Sequence, residues 1–200
     1  MGANRWTKNA TVSPVRRHPF GALALLGLLL GGCGDEYGAV TLSWQFVDRN
    51  GDRIYPGGLF DRGGFRRHAC DMPGIGAEGP TRYDLGVQLE ICDPGCMLGC
   101  EHPDCQIQPP VVFSCRTYRG ADTEVPASDA PYRFTLRPVL DVELSGTRCV
   151  HPTPACFAVP GPRERTVEPG RMVDLQVYQI AIDVDPGSGE ALDLEACGCA

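Results

Sequence analysis

Residues 83–92 read Tyr83-Asp84-Leu85-Gly86-Val87-Gln88-Leu89-Glu90-Ile91-Cys92, and apolar side chains alternate with polar or small ones along most of this stretch. Because successive side chains of a β-strand point to opposite faces, the alternation predicts a strand with one apolar and one polar face. We expect the apolar face to pack into a core and the polar face to contact solvent. The stretch therefore predicts a half-buried strand, which is the building block of a β-sheet.

The same period of two recurs elsewhere in the chain. Alternate residues from Val40 to Phe46 are apolar and share one face of a second predicted strand. Further strands are predicted at residues 111–118, 132–137, 139–144 and 172–184. Pro138 separates two of these segments, and because proline lacks the N–H that a sheet ladder uses, it predicts an edge or a bulge at that point.

Few helices are expected between these strands. The chain has 25 glycines and 18 prolines among 200 residues, and no long stretch carries apolar residues at helical spacing. Six or more strands joined by turns rich in glycine and proline are typical of an all-β fold. We predict an antiparallel β-sandwich of the immunoglobulin-like or transthyretin-like kind, with little helix.

The segment that begins at Cys92, at the end of the strand predicted over residues 83–92, is unusually rich in cysteine. Cys92, Cys96, Cys100 and Cys105 lie within fourteen residues, together with His102. This set allows two interpretations, a zinc-type metal site or a group of disulfides. Structural zinc sites use pairs of close ligands separated by a longer arm, whereas these cysteines follow one another at similar intervals in one loop. The spacing therefore favours disulfides and leaves the metal site as the alternative.

The N-terminal segment indicates an exported protein. Residues 1–32 contain four basic side chains and no acidic one, and they end in an apolar run of 13 residues, Phe20–Gly32. A basic segment before a short apolar one is typical of a signal peptide, and the run is shorter than the roughly 20 residues that a membrane-spanning helix needs. We therefore predict that residues 1–32 are a cleaved signal.

The end of this signal resembles the lipobox of bacterial lipoproteins, in the residues Leu30-Gly31-Gly32-Cys33. The resemblance implies that the chain is cleaved before Cys33, that the Cys33 thiol receives a diacylglycerol, and that the new amino group is acylated, with palmitate as the typical fatty acid. Two or more acyl chains anchor a protein stably. Because Gly34 and not aspartate follows Cys33, the resemblance favours the outer over the inner membrane. Residues 33–39 would then form a lipidated tether, and residues 40–200 a single domain.

The composition of the mature chain narrows the range of partners. All 25 acidic residues but only 14 of the 18 basic ones lie after residue 32, which gives a net charge of −11. An acidic domain is repelled by nucleic acid and by anionic headgroups. The last basic residue is Arg171, and the acidic run that follows it is typical of a solvated tail.

Ten cysteines lie after Cys33, and an even number in an exported protein predicts five disulfides. The ten candidates are Cys70, Cys92, Cys96, Cys100, Cys105, Cys115, Cys149, Cys156, Cys197 and Cys199. Cys197 and Cys199 are too close to bridge to each other without strain, so each is expected to reach a distant partner and hold the C-terminus. Cys149 and Cys156 enclose six residues and are predicted to close a local loop. The disulfides are expected to staple two long irregular segments, residues 56–80 and 92–110.

Two further segments, Val125–Leu136 and Val167–Val177, resemble the closing strands of transthyretin-like and carboxypeptidase-regulatory-like sandwiches. The resemblance covers about a quarter of the mature chain. It implies a module that binds or spaces other domains and rarely catalyses.

The chain carries no sequence motif of a serine hydrolase, a zinc protease, a phosphate-binding loop or a dinucleotide site. We therefore predict neither catalysis nor a cofactor. The functional hypothesis is a membrane-anchored lipoprotein of the cell envelope that serves as an interaction or structural module with an envelope protein as its partner. The alternative is a metal-binding envelope protein that uses the cysteines from Cys92 to Cys105 with His102.

Overall fold

The computed structural model describes residues 36–55, 59–60, 66–67, 70–142, 147–150, 152–184 and 189–199. These residues belong to one unit, Gly34–Ala200. The predicted signal peptide and Cys33 lie outside the described residues, so both stay predictions. No helix among the described residues has the length and apolar character needed to cross a bilayer.

The described residues form fourteen strands and two short 3-10 turns. The strands are β1 (Tyr37–Val47), β2 (Arg53–Tyr55), β3 (Leu59–Phe60), β4 (Arg66–Arg67), β5 (Asp71–Gly76), β6 (Gly79–Cys92), β7 (Val111–Ser114), β8 (Arg119–Pro126), β9 (Tyr132–Val142), β10 (Thr147–Val150), β11 (Phe157–Ala158), β12 (Arg163–Arg165), β13 (Met172–Ile182) and β14 (Leu192–Asp193). The 3-10 turns are Pro103–Cys105 and Cys115–Thr117. The prediction of an all-β chain with little helix is confirmed.

The first sheet is built around β1. On one side β1 pairs with β13, and on the other side it pairs with β8 and then with β2. The short strand β11 extends the sheet beyond β13. The β1–β2 connection turns at Asn50-Gly51, where Gly51 has a φ of 86° that favours glycine. The Asp48 carboxylate accepts hydrogen bonds from the backbone N–H groups of Asn50 and Asp52 and holds this turn.

The second sheet is built around the pair β6–β9, which is in register from Tyr83–Val142 to Cys92–Arg133. The other edge of β6 pairs with β5 and then with β7, and the other edge of β9 pairs with β12 and then with β10. β3 and β4 form a separate two-stranded ribbon that is not hydrogen-bonded into either sheet.

The inner faces of the two sheets form the core. Val40, Leu42, Trp44 and Phe46 of β1 are all buried, as their alternation predicts. They belong to the same apolar cluster as the inward residues of β6, β9 and β13. Burying this apolar surface is the main favourable term in folding. The β-sandwich that the sequence predicts is therefore the fold of this chain.

Two strand pairings are parallel, which the prediction of an antiparallel sandwich did not include. β13 runs parallel to β1, and β14 runs parallel to β5. β13 follows β12, which belongs to the other sheet, and the intervening segment 166–171 crosses between the sheets. β13 therefore enters the first sheet at the end where β1 also begins. A strand that changes sheets is free of the hairpin constraint that makes neighbours antiparallel.

Pro138 interrupts no strand, in contrast to the predicted break. Residues 132–142 form the continuous strand β9, and Pro138 lies opposite Val87 in the β6 ladder. On its other edge, β9 pairs with β12 up to Phe134 and with β10 from Val139 onward. Pro138 falls in the gap between these partners, at a point where that edge needs no N–H donor.

The segments predicted as long and irregular are partly regular. Residues 56–80 include the β3–β4 ribbon and the whole of β5. β5 forms a hairpin with β6 through Gly79, which has a φ of 112°. Residues 93–110 contain no strand and only one 3-10 turn, so the irregular character predicted for that segment is confirmed.

The acidic C-terminal segment is docked onto the domain, which corrects the prediction of a solvated tail. Leu192, Leu194 and Cys197 are buried. Arg49 lies 3.4 Å from the carboxylate of Asp183 and 2.8 Å from that of Glu190. Asp183 and Glu190 thus face a basic residue of the β1–β2 turn, which the linear distribution of charge does not reveal.

Several chain segments meet at one end of the sandwich, which we call the N-terminal end. β1 and β13 begin there and β8 ends there, because Tyr37 pairs with Pro126 and Ala39 pairs with Met172. Five residues separate the end of β8 from the start of β9, and within them the backbone N–H of Ser128 donates to the carbonyl of Val167. The C-terminal residue of β6, Cys92, pairs with Arg133 at the start of β9, so β6 also ends at this end.

Candidate functional site: the disulfide loop and the sheet face it covers

The cysteine-rich segment forms two crossed disulfides. Cys92 is bonded to Cys100, and Cys96 is bonded to Cys105. The backbone N–H of Asp93 donates to the carbonyl of Cys105 over 3.0 Å, so the two ends of the segment are held together. We call residues 92–105 the disulfide loop. Of the two interpretations of this stretch, the structure has the disulfides.

All ten cysteines after Cys33 are paired. Outside the disulfide loop, Cys70 is bonded to Cys115, Cys149 to Cys199 and Cys156 to Cys197. Cys197 and Cys199 each reach a distant partner, as predicted. The predicted local bridge between Cys149 and Cys156 is wrong. Cys149 lies in β10 of the second sheet and Cys156 lies just before β11 of the first, so their proximity in sequence does not bring them together.

The disulfide loop begins beside the outer face of the second sheet and covers part of it. The sulfur of Cys100 lies 3.8 Å from the Thr135 hydroxyl of β9. The side-chain amide of Gln106 donates to the carbonyl of Cys100 over 3.3 Å, which ties the loop to the residue that follows it. Cys92, Cys100 and Cys105 form a small apolar cluster of their own, separate from the main core. The loop therefore forms a cover with its own packing.

The covered face corrects the prediction for β6. Gly86, Gln88 and Glu90 were expected to contact solvent, but all three are buried, and Glu90 is only 1% exposed. The half-buried pattern holds only at the beginning of the strand, where Asp84 is exposed. A cover made by a segment that follows the strand in sequence cannot be detected from the alternation within the strand.

Arg137 of β9 provides the counter-charge for Glu90. Its Nε donates to the Glu90 carboxylate over 2.8 Å, and Gln88 donates to the other carboxylate oxygen over 3.1 Å. A terminal nitrogen of Arg137 lies 3.6 Å from the carboxylate of Glu101 in the disulfide loop. One guanidinium therefore links the sheet to its cover. Removing one partner of a buried pair leaves an uncompensated charge, so this link couples the cover to the stability of the sheet.

His102, the fifth ligand of the metal-binding alternative, takes part in a local turn. Its Nδ1 accepts a hydrogen bond from the backbone N–H of Asp104 over 3.3 Å and caps the 3-10 turn Pro103–Cys105. The four sulfurs nearby are each bonded to another sulfur, and zinc requires thiolates. Among the described residues, no group of three or more potential ligands is arranged to hold a metal ion. The metal-binding alternative would require both disulfides to be reduced.

A second candidate site is an open depression on the outer face of the first sheet, with a volume of about 690 Å³. Thr41 and Ser43 of β1 form its floor together with Ala121 of β8. Arg119, Met172 and Asp174 are the larger side chains around it. The depression combines one positive, one negative and one apolar group, which is the composition of an ordinary surface that can contact another protein.

Two buried tyrosines have hydroxyl groups that lack a hydrogen-bond partner within the described structure, Tyr83 and Tyr178. Burial raises the pKa of both hydroxyl groups above the ordinary value of 10.0. The guanidinium of Arg163 lies 4.0 Å from the ring centre of Tyr178, and its charge opposes this rise in the pKa. Both tyrosines belong to the apolar core, so we assign them a structural role. A buried hydroxyl without a hydrogen bond lowers the stability of the fold.

The tip of the disulfide loop exposes two adjacent apolar side chains. Met97 is 99% exposed and Leu98 is 58% exposed. They lie between Cys96 and Cys100, which the two disulfides hold in place. Sequence reasoning took account of the cysteines in this loop and missed these two residues. The sequence does contain a signal for them. Two adjacent apolar residues inside a short loop between cysteines are not part of a strand pattern that would bury them.

No family model, no curated protein and no solved structure matches this chain.

Proposed function

We propose that this chain is a lipoprotein of the bacterial cell envelope, anchored in the membrane by acyl chains on Cys33. The sandwich then acts as an interaction or structural module without catalytic activity of its own. The observation that carries the proposal is the lipobox-like Leu30-Gly31-Gly32-Cys33, which directly ends the 13-residue apolar run.

The disulfides support an extracytoplasmic location. Five disulfides join all ten cysteines after Cys33. Disulfides of this number persist in oxidising compartments such as the periplasm and are rare in the cytosol. The disulfides and the predicted signal peptide thus support the same compartment.

The length of the tether favours a position against the membrane. The first strand begins at Tyr37, three residues earlier than the predicted Val40. Four residue steps separate Cys33 from Tyr37, and at about 3.3–3.6 Å per step their Cα atoms are at most about 14 Å apart. A lipid on Cys33 would therefore keep the sandwich at the bilayer surface. The outer membrane is favoured because Gly34, and not an aspartate, follows Cys33.

The polar groups of the covered sheet face support a binding or structural role over a catalytic one. Glu90 is paired with Arg137 and Gln88, so its carboxylate already has charged and neutral partners. A general acid or base needs access to its substrate, whereas Glu90 is buried under the disulfide loop. The partner of this module is proposed to be another envelope protein, because a net charge of −11 disfavours nucleic acid.

Replacing Cys33 by serine tests the anchor. Serine lacks the thiol that takes the lipid, so we expect the Cys33→Ser protein to move from the membrane fraction to the soluble fraction after cell lysis. Gly34→Ser is the matched control, because it places the same residue next to the site and leaves the thiol intact. A Cys33→Ser protein that stays in the membrane fraction would refute the lipid anchor.

A further inference from the structure

Four exposed apolar side chains lie on segments that begin at the N-terminal end of the sandwich. Met97 and Leu98 stand at the tip of the disulfide loop, whose first residue, Cys92, lies at this end. Tyr37 is 51% exposed and Met172 is 65% exposed, and both lie where β1 and β13 begin. These four residues therefore lie on segments of both sheets that meet at one end.

Isolated exposed apolar residues are common on protein surfaces, but adjacent ones such as Met97 and Leu98 are a feature of contact sites. The pair matters here because its loop starts at the end where β1, and hence the tether to Cys33, begins. Of the other described apolar residues that are comparably exposed, Val177 lies in the middle of β13, and Ile75 lies in the β5–β6 hairpin at the opposite end of the second sheet. From Pro80, which pairs with Ile75, β6 runs twelve residues to Cys92, or roughly 40 Å at about 3.3 Å per residue.

The disulfides make the loop tip suited to insertion into an apolar phase. Cys96 and Cys100 flank Met97 and Leu98, and each is bonded to a cysteine on the opposite side of the loop. A loop that is already ordered loses little conformational entropy on binding. The contact between Glu101 and Arg137 of β9 also holds the loop in place.

The charge of the domain indicates how this end would contact a membrane. Asp93, Glu101 and Asp104 belong to the same loop as the tip, and the mature chain has a net charge of −11. Attraction to anionic headgroups is therefore disfavoured. Contact would depend on apolar side chains that enter the boundary between headgroups and acyl chains, as in interfacial membrane proteins.

We propose that Met97 and Leu98 form a second membrane contact, inserting into the lipid interface while the acyl chains on Cys33 hold the domain at the bilayer. Tyr37 and Met172 would lie near the same interface. The proposal rests on the proposed lipid anchor and goes beyond it, because it assigns an orientation to the domain. The sandwich would stand on its N-terminal end, with the β5–β6 hairpin directed away from the membrane.

Tryptophan fluorescence of the lipidated protein in vesicles tests this orientation. After signal cleavage Trp44 is the single tryptophan, and it is buried in the core, so it serves as an internal reference. We would reconstitute the Met97→Trp protein into phosphatidylcholine vesicles with and without brominated acyl chains, since bromine quenches only nearby indole rings. Insertion predicts a shift of the added emission to shorter wavelength and a loss of intensity in the brominated vesicles.

Ile75→Trp is the matched control. It places the same probe at an exposed apolar position at the opposite end of the second sheet, so its emission should stay at the wavelength of a solvated indole and should not be quenched. Leu98→Trp repeats the test at the second tip position. All three substitutions replace exposed side chains, and disulfide content and circular dichroism verify that each variant is folded.

The outcomes separate this proposal from the lipid anchor. If the wild-type protein does not float with the vesicles, both proposals are overturned. If it floats but the Met97→Trp and Leu98→Trp proteins behave like the Ile75→Trp protein, the anchor stands and the second contact is overturned. A shift that occurs only when other envelope proteins are added would assign the tip to a protein partner and would also overturn the lipid contact.

Discussion

At the scale of single residues, the interior of this protein contains both compensated and uncompensated polar groups. Glu90 is compensated by Arg137 and Gln88. The hydroxyl of Tyr83 is uncompensated within the described structure, although its ring is packed against the core. A buried polar group without a hydrogen bond costs about 1–3 kcal/mol of stability, so Tyr83 is a position where a less polar side chain fits better.

We expect Tyr83→Phe to increase the free energy of unfolding by about 1 kcal/mol at neutral pH, because it removes the unbonded hydroxyl and keeps the ring. The effect should be larger at alkaline pH. Burial raises the pKa of Tyr83 above its unfolded value of 10.0. Below pH 10 the hydroxyl is protonated in both the folded and the unfolded state, so the free energy of unfolding does not depend on this group's titration. As the pH rises above 10 and through the raised pKa of the folded state, the wild-type protein loses stability. Urea unfolding of the oxidised protein at neutral pH and above pH 10 measures both effects.

Tyr37→Phe serves as the control for Tyr83→Phe, since Tyr37 is 51% exposed. It should change the stability little at either pH. Tyr178 also has a raised pKa, so part of the alkaline destabilisation persists in Tyr83→Phe. A loss of stability at neutral pH on removing the Tyr83 hydroxyl would show that this group has a hydrogen-bond partner and would contradict the assignment.

At the scale of secondary-structure elements, a β-bulge in β13 absorbs one extra residue and keeps both halves of the strand in phase with the core. Its buried residues are Leu175, Tyr178, Ile180 and Ile182, so the period of two breaks once, after Leu175. At the same place the pairing with β1 shifts, because Thr41 lies opposite Asp174 and Ser43 lies opposite Val177. Gln176 supplies the extra residue in a β-bulge and has a φ of 63°.

The bulge predicts that two changes at Gln176 are tolerated. Gln176→Gly should be neutral or stabilise the protein by up to about 1 kcal/mol, because glycine adopts a positive φ without steric cost. Deleting Gln176 should leave the protein folded, because it removes the extra residue and the buried residues on both sides, Leu175 and Tyr178, then alternate regularly with exposed ones. Circular dichroism and thermal unfolding of the two variants measure these effects.

Gln179→Gly is the matched control, since Gln179 is an exposed glutamine of the same strand outside the bulge. Glycine there should destabilise the sheet, because no positive φ compensates the loss of conformational restriction. Equal destabilisation by Gln176→Gly and Gln179→Gly would contradict the role assigned to the bulge.

At the scale of the whole molecule, the disulfides join elements that hydrogen bonds alone leave apart. The disulfide between Cys70 and Cys115 connects the start of β5 to the end of β7. These two strands pair with successive parts of the same edge of β6. The C-terminal segment runs from β14, beside β5, to Cys199, which is bonded to Cys149 in β10 at the other edge of the second sheet. Cys197 connects the same segment to Cys156 beside the first sheet. The C-terminus thus fastens the two sheets together.

Disulfide mapping tests this arrangement. Protease digestion of the mature, non-reduced protein should yield the five pairs of the structure and no free thiol after denaturation. Each pair is expected to contribute about 2–4 kcal/mol by restricting the unfolded chain. Mild reduction should increase hydrogen exchange in residues 92–110 before the paired strands β6 and β9, because residues 93–110 contain no strand and lack the hydrogen-bond ladder of a sheet.

Two results would contradict the arrangement. A peptide that links Cys149 to Cys156 would restore the local loop and release the C-terminus. Four reactive thiols between Cys92 and Cys105, together with one bound zinc ion, would favour the metal-binding alternative. In that case the cover over Glu90 would be held by a metal ion.

The sequence by itself determined the local features of this protein. Alternation of apolar residues predicted β1 and β6, the even number of cysteines predicted five disulfides, and glycine and proline content predicted an almost helix-free chain. Each of these follows from the properties of neighbouring residues or from a count, so distant contacts are not needed to infer it.

Only the tertiary structure decided which distant groups meet. It paired Cys149 with Cys199, oriented β13 parallel to β1, and covered Gln88 and Glu90 with a loop that the strand pattern had left exposed to solvent. It also placed the disulfide loop, which starts at the N-terminal end, against the outer face of the second sheet. The physical reason is common to all of these features. Each depends on how two sheets pack and which segments cross between them, and that free-energy minimum involves residues far apart in the chain, whose proximity no local pattern encodes.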